Sequence, residues 1–166
     1  THDISRYILG QGRSYIRCDD ANPWMISIEE ACHAFLDGRV LVSMGLWVNM
    51  RVEDRFEVGD TATDLPETFQ IEIDVQGPSW VKADEVNLFF NGERIRHHRI
   101  EPDLEHIEKA RIRWKLTKPN QSGYLVAVAQ GPGITEPFWV IPRPYQHKDI
   151  HYTPRIIGST NPIWIE

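Results

Sequence analysis

The chain has 166 residues, which is enough to bury the core of one ordinary domain without disulfides or metals to hold it together. Its 18 Lys and Arg against 24 Asp and Glu give a net charge of −6, and the charges are mixed along the chain, so a nucleic-acid partner, which normally needs a clustered basic face, is not expected. Because no apolar run approaches the roughly 18 residues of a membrane span, a membrane partner is not expected either.

Residues 1–20 predict an entering segment and not a core element, since they contain Gly10, Gly12 and polar residues with only short apolar runs between them. We assign 1–26 as a whole to a connecting segment. The first residue is Thr1 and not methionine, so we expect a fragment or a processed product. We assign 27–166 to the folded domain.

One helix is predicted after this segment. Ser27 followed by Glu30 forms a capping box, and Asp37-Gly38 provides the C-terminal stop. Apolar residues recur between them at helical spacing: Ile28, Ala31, Cys32, Phe35 and Leu36. The only other cysteine is Cys18, and the spacing of the two matches no zinc motif. Because Cys32 falls on the apolar face, a reduced and buried thiol is favoured over a disulfide.

Strands are predicted for most of the remaining chain. Residues 40–44 and 46–52 are separated by Gly45, and Val58-Gly59-Asp60 indicates a bulge or a turn. From Phe69 to Val75 every second residue is apolar, which is the period of a strand with one buried and one solvent-exposed face.

Asn91-Gly92 supplies the two positive-φ positions that a two-residue hairpin requires, so the runs on either side of it should pair antiparallel. The polar stretch 101–110 is consistent with either a loop or a short helical turn. A second hairpin is predicted around the turn at 119–123. Short strands joined to their neighbours by turns predict a mainly β fold, namely an antiparallel immunoglobulin-like β-sandwich. One short α-helix near the N-terminus is expected to lie over an edge of this sandwich.

Histidines offer two candidate metal sites. His147 and His151 stand four apart with Asp149 between them, but nearby prolines disfavour a helix, so a solvent-exposed loop is the preferred interpretation. His97 and His98 are adjacent on a predicted strand, where neighbouring side chains point to opposite faces, so the two rings should not share one ion.

Six tryptophans raise the alternative of a carbohydrate-binding or adhesion module, because exposed rings on a sandwich can stack on sugars. Trp114 shares the parity of Ile112 and Leu116 and is predicted to lie in the core. Trp24 follows a proline and Trp80 follows Gly-Pro in a turn, so these two are the candidate ligand-binding residues.

Four stretches resemble the C-terminal region of CehA/McbA-type metallohydrolases of the PHP (polymerase and histidinol phosphatase) superfamily. The more specific pieces are Gly77-Pro78-Ser79-Trp80 and the closing Thr160-Asn161-Pro162-Ile163-Trp164-Ile165. The others are 1–16 with its Gly-Gln-Gly and 31–42 with its Gly-Arg.

The resemblance implies a metal-binding α/β barrel upstream that performs hydrolysis, with residues 1–26 connecting it to this β-rich domain. In the family the last barrel motif is a metal-binding Asp-x-His, and His2 lies where its histidine would fall. Its aspartate would precede Thr1, and no His-x-His occurs in the chain. The resemblance therefore predicts a non-catalytic accessory domain with no catalytic residue and no cofactor of its own. A divalent metal is expected in the parent enzyme, with the barrel as the partner.

Overall fold

The strand and helix boundaries come from a computed structural model, which describes residues 12–101, 105–132 and 155–166. One helix, α1 (Ile28–Leu36), follows a 3₁₀ turn at Pro23–Met25. The strands of the described residues are β1 (Arg13–Ile16), β2 (Val40–Met44), β3 (Trp47–Val52), β4 (Phe56–Glu57), β5 (Thr61–Ala62), β6 (Thr68–Gln76), β7 (Glu85–Phe90), β8 (Glu93–Arg99), β9 (Glu108–Thr117), β10 (Gly123–Pro132), β11 (Arg155–Thr160) and β12 (Ile163–Ile165). The predicted mainly β fold with one helix is confirmed.

The larger sheet is organised around β10, which is long enough to pair with three strands. β11 and β12 share one edge of β10, while β7 pairs with the other edge. Beyond β11 lie β2 and then β1, and beyond β7 lies β8, so β1 and β8 are edge strands. All of these pairs are antiparallel, and the short pair β5–β12 is parallel.

The smaller sheet has the order β4-β3-β6-β9 and packs against the larger one. Phe69, Ile71, Ile73 and Val75 of β6 are buried, as their alternation predicted. They join a core that draws residues from both sheets, including Val86 and Leu88 of β7 and Leu125 and Ala127 of β10. Burial of one apolar face of each sheet is the main stabilising contribution to this fold.

The β7–β8 hairpin turns at Asn91 and Gly92, whose φ angles are 49° and 86°. The positive φ at both positions confirms the predicted turn, because two-residue hairpins need this geometry to match the twist of the strands. The predicted turn at 58–60 is also present, with Gly59 at φ 93°.

Helix α1 begins where the capping box predicted: the Ser27 hydroxyl accepts a hydrogen bond from the Glu30 backbone N–H at 3.2 Å. It ends at Leu36, followed by Asp37 as the C-cap and by Gly38, whose φ is 75°. The helix lies beside the edge strand β1. None of the helices within the described residues is long and apolar enough to cross a membrane.

Of the apolar stripe predicted for α1, only Ala31 faces inward, where it is half-buried. The small residues Ala31 and Ala34 turn toward the protein, and Ala34 is the helix's one buried residue. The other members of the predicted stripe, Ile28, Cys32, Phe35 and Leu36, face solvent. The prediction of a buried Cys32 thiol is therefore wrong, although Cys18 and Cys32 are both free thiols. The helix packs through small residues because these allow close approach to the sheet edge.

Candidate functional site

A groove opens along one side of the sandwich, where the larger sheet extends past the smaller one. On β1, Arg13 and Tyr15 lie opposite Ser43 and Leu41 of β2, so these four side chains share a face of the sheet. Leu41 packs on the core and Ser43 is buried, whereas every residue of β1 is exposed. The core-facing side of β1 is thus not covered by the smaller sheet.

The other wall of this groove belongs to the smaller sheet. Val48, Met50 and Val52 of β3 point into the core, so Trp47 and Asn49 point away from it. We call the depression between β1 and β3 the β1–β3 groove. It consists of two adjoining cavities of about 420 and 360 Å³ that share Tyr15 and Trp47. This size falls within the range of small-ligand sites, roughly 300–1,000 Å³.

The larger cavity has an aromatic lining. Tyr15 and Trp47 line it from the two sheets, and Trp80 lines it from the loop between β6 and β7. Trp80 is 54% exposed, as predicted from its position after Gly-Pro. Polar groups of Arg13 and Gln76 line the same cavity. Rings combined with a few polar groups are typical of sites that bind ring-shaped ligands.

The loop that carries Trp80 is held by a buried lysine. Lys109 is 7% exposed, and its Nζ donates hydrogen bonds to the carbonyl oxygens of Ser79 at 3.3 Å and His106 at 2.6 Å. The Gly77 N–H donates to the Ile107 carbonyl at 3.0 Å. These bonds tie the Trp80 loop to the start of β9 and to the residue before it, and so fix one wall of the groove.

Three arginines line the groove, and two of them form ion pairs with carboxylates of the described residues. Arg17 forms an ion pair with Glu57, and Arg39 forms one with Asp60 at 2.9 Å. Arg13, in the larger cavity, pairs with no carboxylate of the described residues. The aromatic half of the groove therefore contains a cation whose charge is not offset by a described carboxylate.

A second exposed surface is formed by the apolar side of α1 and the 3₁₀ turn before it. We call this the helix apolar face and define it by Trp24, Met25, Ile28, Phe35 and Leu36. Trp24 is 95% exposed, Ile28 80% and Leu36 79%. Ile28, Phe35 and Leu36 are spaced as i, i+7 and i+8, which places them on one side of the helix.

The structure does not bring the two predicted tryptophans together in one cavity. Trp80 lines the groove, whereas Trp24 belongs to the helix apolar face and lines neither cavity of the groove. Trp114 is half-buried and packs on the core, in agreement with its parity.

His97 and His98 lie on β8 opposite Asn87 and Val86, which are neighbours on β7, so their rings point to opposite faces. His97 Nε2 lies 3.2 Å from Glu85 Oε2. Among the described residues, no three His, Cys, Asp or Glu side chains converge as metal ligands. His2, His147, Asp149 and His151 lie outside the described residues.

Sequence reasoning missed β1 and therefore the groove. Arg13 and Tyr15 were assigned to a connecting segment, and a four-residue strand gives too weak a periodic signal to recognise. The orientation of Trp47 was available from sequence, because it shares the parity of Asn49 and Arg51 and not that of Val48 and Met50. Lys109 gave no signal, since its burial depends on a loop 30 residues away.

Comparisons of the chain with known protein families, with curated proteins and with solved structures find no match.

Proposed function

We propose that this chain is the non-catalytic β-sandwich domain of a PHP-type, phosphoesterase-like metal-dependent hydrolase, and that it packs on the catalytic barrel and helps to shape its cleft. The resemblance in the two most specific stretches, 77–80 and 160–165, supports this assignment. The structural observation that carries it is the helix apolar face.

The helix apolar face is exposed to solvent. Exposed contiguous apolar patches usually mark surfaces that another protein or domain covers. The face lies on the turn at Pro23–Met25 and on α1, at the point where the connecting segment 1–26 enters the folded domain. A partner joined through that segment is held at high effective concentration near this surface, so even a modest apolar contact would form.

The test is to express the polypeptide encoded upstream of Thr1 separately and to measure its binding to this chain by calorimetry. The double variant Ile28→Ser, Phe35→Ser is expected to weaken binding by about a hundredfold, since each side chain contributes about 1.5 kcal/mol when buried. Met44→Ser is the matched control, because Met44 is exposed on β2, away from the helix.

Equal binding by the double variant and the control would contradict the proposal, as would an upstream sequence without a metal-binding barrel. The purified chain should also turn over no phosphoester, amide or carbamate substrate with manganese or zinc. Turnover that is lost in His2→Ala would make the chain an enzyme in its own right.

The second candidate function is a carbohydrate-binding module, favoured by the exposure of Trp24 and Trp80. Aromatic faces that water can reach are the elements on which sugar rings stack. On a glycan array, Trp80→Ala or Trp24→Ala should reduce binding about three- to tenfold if the corresponding ring takes part. Trp164→Ala serves as the comparison, since Trp164 is also exposed but packs edge-on against Tyr124. If binding is unchanged in both Trp24→Ala and Trp80→Ala, these tryptophans do not form the site.

A further inference from the structure

We infer that the β1–β3 groove binds a saccharide that bears a carboxylate, with the sugar ring against Trp80, Trp47 and Tyr15 and the carboxylate on Arg13. This inference rests on the carbohydrate-binding candidate above and adds the location of the site and the class of sugar.

The aromatic lining of the cavity favours a ligand that contains a ring. Tyr15, Trp47 and Trp80 come from β1, β3 and the β6–β7 loop, so three separate elements place their rings around one cavity of about 420 Å³. A pyranose has an apolar face that stacks on such rings and hydroxyl groups that need hydrogen-bond partners. The Gln76 amide supplies a donor and an acceptor at the same cavity.

The positive charge of Arg13 in the lining favours a ligand that carries a carboxylate. Arg13 of β1 lines the aromatic cavity, and no described carboxylate forms an ion pair with it. A guanidinium binds a carboxylate through two parallel N–H···O bonds, and such charge-assisted bonds are stronger than neutral ones. A carboxylate on the sugar would give Arg13 the kind of partner that Arg17 and Arg39 already have in Glu57 and Asp60.

The shape of the groove favours an oligomer over a single sugar. The second cavity of about 360 Å³ continues from the first past Tyr15 and Trp47 toward Asp20 and Arg39. The four residues of β1 alone span about 13 Å, which is longer than one hexose. A chain of two or three sugars would contact both cavities, and a free sugar acid would occupy the aromatic one.

The experiment is calorimetric titration of the full chain with oligomers of galacturonate, mannuronate, guluronate and glucuronate, and with the methyl esters of the same oligomers. The esters keep the ring and remove the charge. At least one acidic oligomer should bind about tenfold or more tightly than its ester, and its affinity should fall as salt is added. The monomeric acids form a separate arm that distinguishes a free sugar acid from a polymer.

Two variants locate the site. Arg13→Gln should reduce affinity for the acidic oligomer about tenfold and leave affinity for the ester unchanged, because only the charged contact is lost. Trp80→Ala should reduce both. Arg96→Gln on β8 is the control, since Arg96 is an exposed arginine on the opposite edge strand. Circular dichroism and the unfolding midpoint establish that each variant is folded.

Equal binding of acid and ester, with both lost in Trp80→Ala, would overturn the selectivity for acids and leave the carbohydrate-binding candidate standing. Binding of neither form across the panel would overturn the inference, as would an Arg13→Gln variant that binds the acid as well as the unmodified chain does.

Discussion

Replacing Gly158 with alanine is expected to lower the free energy of unfolding by about 3 kcal/mol, the largest stability effect among the changes considered. Gly158 lies on β11, where the larger sheet passes beneath the connection between β2 and β3. A Cβ atom there would overlap the Leu46 carbonyl oxygen and lie 2.7 Å from Val48 Cγ2. Since one of these atoms belongs to the backbone, the two sheets would have to separate to make room.

Urea unfolding at constant pH measures this effect, and Gly12→Ala provides the control. A Cβ atom at Gly12 would meet nothing within 4 Å beyond its own chain neighbours, so this replacement should change the free energy of unfolding by less than about 0.5 kcal/mol. A loss at Gly158 no greater than that at Gly12 would show that the sheets do not cross here as closely as described.

Glu72→Gln is expected to lower the free energy of unfolding by about 2 kcal/mol at pH 7. Glu72 is 4% exposed on the outer side of β6, between Arg51 of β3 and Arg113 of β9. Its two carboxylate oxygens accept hydrogen bonds from the two guanidinium groups, each at 2.5 Å. A glutamine in this position would accept from one arginine and turn its NH₂ group toward the other, so one charged bond would be lost.

The loss of unfolding free energy in Glu72→Gln should depend on pH. The hydrogen bond from Arg113 is the main cause that lowers the pKa of Glu72 below its ordinary value of 4.5, assisted by Arg51 and opposed by burial. Because the folded-state pKa is below the unfolded one, the carboxylate stabilises the fold fully above about pH 4.5, and this contribution is lost as the pH falls through the lower folded-state pKa.

Urea unfolding of the unmodified chain and of Glu72→Gln, between pH 7 and pH 3, should therefore give two curves that converge at the acid end. Glu67→Gln is the control, since Glu67 is exposed and forms no ion pair with the described residues. A difference between Glu72→Gln and the unmodified chain that stays constant down to pH 3 would mean that Glu72 contributes through packing and not through its charge.

The predictions from sequence were most accurate where a local rule determines local geometry. The alternation from Phe69 to Val75 identified the central strand and its buried face, because side chains of a strand alternate whatever lies beside them. Asn91-Gly92 identified the hairpin and Ser27 the start of the helix, because turn and cap geometry depend on a few neighbouring residues.

The orientation of α1 could not be obtained in this way. The periodic stripe of Ile28, Phe35 and Leu36 was correctly placed on one side of a helix, but periodicity does not state which side meets the sheet. In the folded protein Ala34 is buried and Ala31 is half-buried, whereas Ile28, Phe35, Leu36 and Cys32 face solvent.

Short-range patterns were sufficient to establish that this chain folds into β-strands with one capped helix, because strand period, turn residues and capping each depend on a few adjacent residues. They were not sufficient to establish that β1 extends beyond the smaller sheet, or that Arg13, Tyr15, Trp47 and Trp80 surround one groove. Arg13 and Trp80 are 67 positions apart along the chain. Their proximity follows from the packing of two sheets of unequal width, which no local pattern specifies.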